Sequence, residues 1–201
     1  PQDAAQVTEE LISHPAVKKV NFTGSTAVGS VIAAMAGKYL KPVITELGGK
    51  ASMIVLADAD IKKAAMACTM GAFLHAGQVC MSTERVIVHE SIVDSFTAAF
   101  KESTSQQYGE KGHSPILVTA GGANKTKALV KLALSKGATV ILGDSKESEE
   151  PDLSSTRMRP IILSNVNRGS ALHENESFGP SVAIYPFKTE DEALAIANDT
   201  E

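Results

Sequence analysis

Short β-branched runs alternate with stretches of helical periodicity along most of this chain, and few folds accept that pattern. Lys18–Thr23 (KKVNFT) reads as a strand, and Ser25–Gly37 as a helix of small residues stopped by glycine. Pro42–Thr45 and Ser52–Leu56 are apolar runs too short for helices. Asp58–Ala76 reads as a long helix, with Asp58 or Asp60 as N-cap and Gly77 as its stop. Arg85–His89, Thr139–Leu142, Pro160–Ser164 and Val182–Phe187 are strand-like. Ser91–Gln106, with Ile92, Phe96 and Phe100 on one face, and Asn124–Lys136, ending at Gly137, are helical. Thr189 and Glu192 form a capping box for a last helix to Asn198. Glu102–Ser114 and Asp144–Thr156 are rich in Ser, Glu, Lys and Gly and read as exposed loops. The expectation is an α/β fold with a mostly parallel sheet flanked by helices.

The 201 residues allow one substantial core, or one domain and part of another. A hydrophobic content of 43% and a charged content of 21% suit a globular domain. A net charge of -4 leaves no basic footprint for nucleic acid, and no apolar run approaches the eighteen or so residues that span a membrane. The two cysteines, Cys68 and Cys80, form no CxxC and no His/Cys spacing. That argues against a disulfide framework or a metal site and suits a reducing, cytoplasmic compartment. The opening PQDAAQ is neither an initiator methionine nor a signal peptide, and the last helix leads straight to Glu201, so the expectation is a piece of a longer chain.

Four stretches could carry chemistry. In FTGSTAVG (Phe22–Gly29) a strand runs into Gly24 and a helix begins at Ser25. Free N–H groups at such a terminus suit a phosphate, although the turn is no P-loop and could be an ordinary strand–helix connection. In HAGQVCMSTER (His75–Arg85), Cys80 lies past the helix stop and so in a loop, where a thiolate can act as nucleophile. An inert cysteine is the plainer alternative. Cys68 lies seven residues after Ile61 on the same helical face and reads as core. His75 is either a partner for the thiolate or a histidine satisfied at a helix end. Glu46 ends a strand, where α/β proteins keep their ligands; it is either a general base or a cap or ion-pair partner. In ENESFGPSVAIYPF, residues Glu176, Phe178, Gly179 and Pro180 form an acidic-aromatic turn. It is either structural or a grip on sugar hydroxyls beside a flat ring.

Taken in order, FTGSTAVG, ELGGK, GQVC and ESFGP resemble the aldehyde dehydrogenase superfamily. HPAVKKVNFTGS, KPVITELGGKASMIV, DADIKKAA, RPIIL and DEALAIAN extend the resemblance over nearly the whole chain. The resemblance implies that Cys80 attacks an aldehyde to give a thiohemiacetal, which loses hydride to a nicotinamide and becomes a thioester. It assigns Glu46 as the base that activates water for hydrolysis, with the Cys80 backbone N–H as an oxyanion donor. Gly24, Ser25, Thr26 and Gly29 then match the turn beside the cofactor phosphates, with Leu47 also at the cofactor. Glu176 matches the ribose-binding carboxylate and Phe178 the ring beside the nicotinamide.

The implied cofactor is NAD or NADP, the substrate a small-molecule aldehyde, and the full-length enzyme a homo-oligomer; neither nucleic acid nor membrane is an implied partner. Residues 1–49 would end a dinucleotide-binding domain and 50–201 would belong to the catalytic domain. The family's fold extends further on both sides, so this stretch by itself is expected to turn over little. Two other readings remain: a member that passes its acyl group to coenzyme A or phosphate, and a non-catalytic structural relative.

Overall fold

The computed structural model describes residues 3–109, 115–146 and 152–200, so parts of both expected loops (110–114 and 147–151) lie outside them. The chain divides into two compact units, Pro1–Gly48 and Gly49–Glu201.

In the smaller unit, β1 (Val20–Thr23) and β2 (Val43–Glu46) pair in parallel, with Val20 opposite Val43 and Thr23 opposite Glu46. Helices α1 (Ala4–Ser13) and α2 (Thr26–Lys38) cover them. Ile12, Ile32 and Ala36 are buried, with Val20, Phe22, Met35, Tyr39 and Val43 packed on them. The expected glycine stop of α2 is wrong: Gly37 is helical and Leu40 takes the left-handed turn (φ 53°). The Lys41 N–H donates back to the Ala36 carbonyl at 2.9 Å, so the closure is a Schellman type that does not need Gly37.

The larger unit is built on a five-stranded sheet ordered β3-β4-β7-β6-β5. Its strands are β3 (Ser52–Val55), β4 (Arg85–His89), β5 (Thr139–Leu142), β6 (Ile161–Ser164) and β7 (Ser181–Phe187). Every pairing is parallel except β5 with β6. The period-two alternation sorts side chains to the two faces. Val86, Val88, Ile162, Val182 and Ile184 join a core with Cys68 and Phe73 of α3 (Ile61–Phe73) and Phe96 and Phe100 of α4 (Val93–Tyr108). Ile87, Leu163, Ala183, Tyr185 and Phe187 join a second core with Val130 of α5 (Ala120–Ser135) and Ile196 of α7 (Glu190–Ala197). The sheet is therefore covered on both faces. Each apolar run tolerates burial because alternate residues serve different cores.

Helix ends account for most differences from the sequence reading. Asp60 caps α3 by accepting from the Lys63 N–H (3.2 Å), but α3 stops at Phe73 instead of reaching Ala76. Helix α4 runs two residues past Gln106, taking over the start of one expected loop. Helix α5 begins four residues before Asn124, because Thr119 accepts from the Gly122 N–H (3.1 Å) and caps a Gly-rich first turn. The short α6 (Ala171–Glu174) was not anticipated. Thr189 caps α7 as expected, but the Glu192 carboxylate accepts from the Lys188 N–H (2.8 Å), one residue earlier than a capping box requires. Since β4 and β7 are adjacent and parallel, the segments leading into both emerge at the same, amino-terminal edge of the sheet.

Candidate active site

Cys80 is carried outward by the backbone. After Phe73, the residues His75, Ala76 and Gly77 are left-handed in succession (φ 51°, 61° and 71°). For a residue other than glycine this conformation costs of order 1–3 kcal/mol. Gln78 braces the bend: its Nε2 donates to the His75 carbonyl (2.9 Å) and its Oε1 accepts from the Val118 N–H (2.9 Å). The Ser82 N–H donates to the Val79 carbonyl (2.8 Å), and the Val79 N–H to Ser82 Oγ (3.3 Å). Cys80 and Met81 form the tip of that turn. The Cys80 side chain is exposed, and its backbone N–H bonds to no described residue. A thiol and a free amide at one residue can hold both the carbon and the oxygen of a carbonyl group.

Cys68 is the contrast. It is fully enclosed on α3, and burial pushes its thiol up to about 12, far from thiolate character at neutral pH. His75 is exposed, sits in the left-handed bend rather than at a helix end, and makes no hydrogen bond to Cys80.

Glu176 and Phe178 stand on the turn that enters β7. Burial raises the Glu176 carboxyl above its ordinary value, against the pull of the Gly49 backbone N–H. Phe178 is left-handed (φ 52°) and the residue is 40% exposed. The bare backbone of Gly77 meets this turn: a Cβ there would run into the Gly179 carbonyl. On its other side Gly179 is packed by Thr126, whose hydroxyl donates to the Ser177 carbonyl (3.0 Å).

Beneath the turn lies a group that the motif reading missed. Glu84 is 4% exposed, and its carboxylate accepts from the Ser177 N–H (2.9 Å), the Ser177 hydroxyl (2.8 Å), the Phe178 N–H (3.2 Å) and the Lys50 ammonium. Burial pushes the Lys50 amine down, and Glu84 opposes that shift. Arg85 next to it is also buried and donates from Nε to the Lys50 carbonyl (2.9 Å). The signal was in the sequence: Glu84-Arg85 leads into the apolar run Val86, Ile87, Val88, and charges that enter a core must find partners.

The smaller unit holds the other expected residues. Glu46 ends β2 with an exposed carboxylate that bonds to no described residue, so the cap and ion-pair readings find no partner among these. Its carbonyl accepts from the Gly24 N–H (3.0 Å), tying FTGS to ELGG. Ser25 caps α2 through a long bond from the Val28 N–H (3.4 Å). The N–H groups of Ser25, Thr26 and Ala27 bond to no described residue, as at any helix start. Gly29 differs: its N–H is spent on the Ser25 carbonyl (2.8 Å), and a Cβ would strike the Leu47 side chain. Gly29 and Leu47 thus pack on each other.

Among the described residues no cluster of His, Cys, Asp and Glu could hold a metal ion, and no helix is long and apolar enough to cross a membrane. The model of the aldehyde dehydrogenase family matches residues 1–201. A vanillin dehydrogenase of Pseudomonas fluorescens is 39% identical over 206 residues, covering 100% of this chain and 41% of that protein. A salicylaldehyde dehydrogenase of Pseudomonas putida, solved with salicylaldehyde, superposes with a TM-score of 0.89 at 38% identity, over 100% of this chain and 41% of its own. A betaine aldehyde dehydrogenase of Staphylococcus aureus, solved with NAD+, gives 0.84 at 28% identity, over 96% and 39%. The chain thus spans about two fifths of the length of these relatives. With motifs, fold and family model in agreement over its whole length, the chain belongs to the aldehyde dehydrogenase family.

Proposed function

We propose that this chain serves the NAD(P)-dependent oxidation of an aldehyde to a carboxylic acid, with Cys80 as nucleophile and Glu46 as hydrolytic base. The observation that carries this reading is the exposed Cys80 thiol at the tip of the turn after the left-handed bend, with its own N–H bonded to no described residue. The Cys80 thiol gives up its proton to water, its sulfur adds to the aldehyde carbon as the C=O π bond opens, and its backbone N–H takes the developing oxyanion. The adduct loses a hydride and becomes a thioester on Cys80. Glu46 takes a proton from water, which attacks the thioester, releases the acid and frees the thiol. A bound nicotinamide dinucleotide would supply the hydride acceptor.

The residues fit such a cofactor. Amides at Ser25 and Thr26 that bond to no described residue suit its phosphates, the half-buried Glu176 suits ribose hydroxyls, and the exposed Phe178 suits a flat heterocycle. Gly24 shapes the first of these turns, while Gly29 and Leu47 support it by packing. Residues 1–49 are then the end of a dinucleotide-binding domain and 50–201 part of the catalytic domain. The names vanillin and salicylaldehyde dehydrogenase favour an aromatic aldehyde as substrate, and the family reading implies a homo-oligomer.

The test is kcat/KM, with NAD and with NADP, for vanillin and salicylaldehyde against succinate semialdehyde and betaine aldehyde, alongside Cys80→Ser. Preference for the aromatic pair and a dead variant are expected. Turnover that survives Cys80→Ser overturns the mechanism, and preference for either aliphatic aldehyde overturns the substrate class.

A further inference from the structure

Glu84 lies four residues after Cys80, and its carboxylate gathers donors from sequence positions 34 and 93 residues away. An ionised carboxylate only accepts hydrogen bonds, and it offers about four sites for donors. Here two peptide N–H groups, a hydroxyl and an ammonium are directed at it. The two N–H groups belong to Ser177 and Phe178, so the carboxylate fixes the peptide planes on both sides of Ser177. Those planes set where Glu176 points and hold Phe178 in the left-handed conformation that an aromatic residue seldom adopts. Lys50 supplies a balancing charge, and its neighbour Gly49 directs a backbone N–H to Glu176.

We propose that Glu84 is a positioning residue for the cofactor half of the site. Its carboxylate places Glu176 and Phe178 to receive the dinucleotide and keeps their turn in register with the Cys80 loop. This rests on the functional reading above. A glutamine at position 84 would accept at one oxygen only and would present an NH2 group to donors that need acceptors. The turn would then relax while the Cys80 bend, braced by Gln78 and Ser82, stays in place.

The test uses the active dehydrogenase with Glu84→Gln and the double variant Lys50→Met/Glu84→Gln. The double variant leaves no lone ion in the core, so it keeps the test open if the single one misfolds. Cys80→Ser is the control. The expected result is an NAD KM raised about tenfold or more, while alkylation of Cys80 by iodoacetamide in the absence of cofactor stays within about twofold. Hydrogen exchange at Ser177 and Phe178 should speed up in parallel. An NAD KM within about twofold of wild type in a folded variant overturns the proposal. So does a joint fall of kcat and alkylation at fixed KM, the mark of a residue that only supports folding. Turnover retained by Cys80→Ser would instead overturn the functional reading, whatever Glu84 does.

Discussion

In the smaller unit the residues expected to act are left open. The Glu46 carboxylate bonds to nothing described, Ser25 holds one long cap bond, and the amides of Ser25, Thr26 and Ala27 find no partner among the described residues. In the larger unit the corresponding residues are pinned from below. Glu84, Lys50 and Ser177 are buried under the turn that carries Glu176 and Phe178, and Gln78 and Ser82 brace the bend that carries Cys80. The difference follows from what each set contributes. Backbone amides at a helix start need only a rigid helix behind them, and an exposed base needs only water. A side chain that must stand at one angle on a loop needs its peptide planes fixed. On the proposed reading, openness in one unit and buried polar bonding in the other are two ways to prepare for a ligand.

That contrast can be broken by substitution. Cys80→Ser should cut aldehyde turnover on the order of 10^4-fold or more without changing thermal stability, because the site is exposed; stopped-flow and steady-state assays measure it. Next comes Glu46→Gln, which should slow deacylation about 10²–10⁴-fold and leave a pre-steady-state burst of NADH. Its unfolding free energy should stay within about 0.5 kcal/mol of wild type, since its carboxylate bonds to nothing described. A large stability loss there would erase the difference between the units. Glu84→Ala strands Lys50 in the core and should cost about 3–5 kcal/mol in denaturant unfolding. A loss below about 1 kcal/mol would mean that the clamp is as loose as an exposed pair.

Smaller effects come from a second buried group and from the helix cap. His173 is enclosed: its Nε2–H donates to Asp199 (2.9 Å), so its Nδ1 accepts from the Tyr185 hydroxyl (2.9 Å), and Arg85 and Arg168 also reach Asp199. Burial depresses its basicity more than Asp199 restores it. The unfolded imidazole takes a proton near pH 6.5, the folded one only at lower pH. Its contribution to stability is therefore whole above about pH 6.5 and is lost as pH falls through the depressed folded value. Melting curves from pH 8 to 5 should show this limb, and His173→Gln should remove it. Least of all, Ser25→Ala should cost about 0.5–1 kcal/mol, the low end for a cap whose bond is 3.4 Å long.

The strands were legible because period-two alternation and β-branching mark them: Arg85–His89 and Thr139–Leu142 match residue for residue. Helix ends were less so. Asp58–Ala76 reads as one helix because His75 and Ala76 are ordinary helix residues, and neither announces the left-handed backbone that it adopts. Leu40 and Phe178 escape notice for the same reason, since nothing in a leucine or a phenylalanine announces a positive φ. The rule that ligands sit at the carboxyl ends of strands places Glu46 but would have hidden Cys80 and Glu176, which precede β4 and β7. Motif order located them instead. Glu84 was missed because its importance is a matter of burial, and its partners lie far along the chain.

Strand β7 has one more consequence. It is the last of the described strands in sequence, yet it lies between β4 and β6, with Ala183 opposite Arg85 and Val182 opposite Ile162. During synthesis β3 and β4 can pair early, and β5 and β6 can form their hairpin, but nothing joins the two until β7 arrives. Until then β4 presents Val86, Ile87 and Val88 on a bare edge to any other nascent chain. A non-local insertion of this kind folds slowly and aggregates readily. The residue that completes the Glu84 clamp, Ser177, reaches the ribosome exit just ahead of that strand. Assembly of the sheet and closure of the Glu84 clamp are thus coupled, and a chaperone that shelters the β4 edge would protect both.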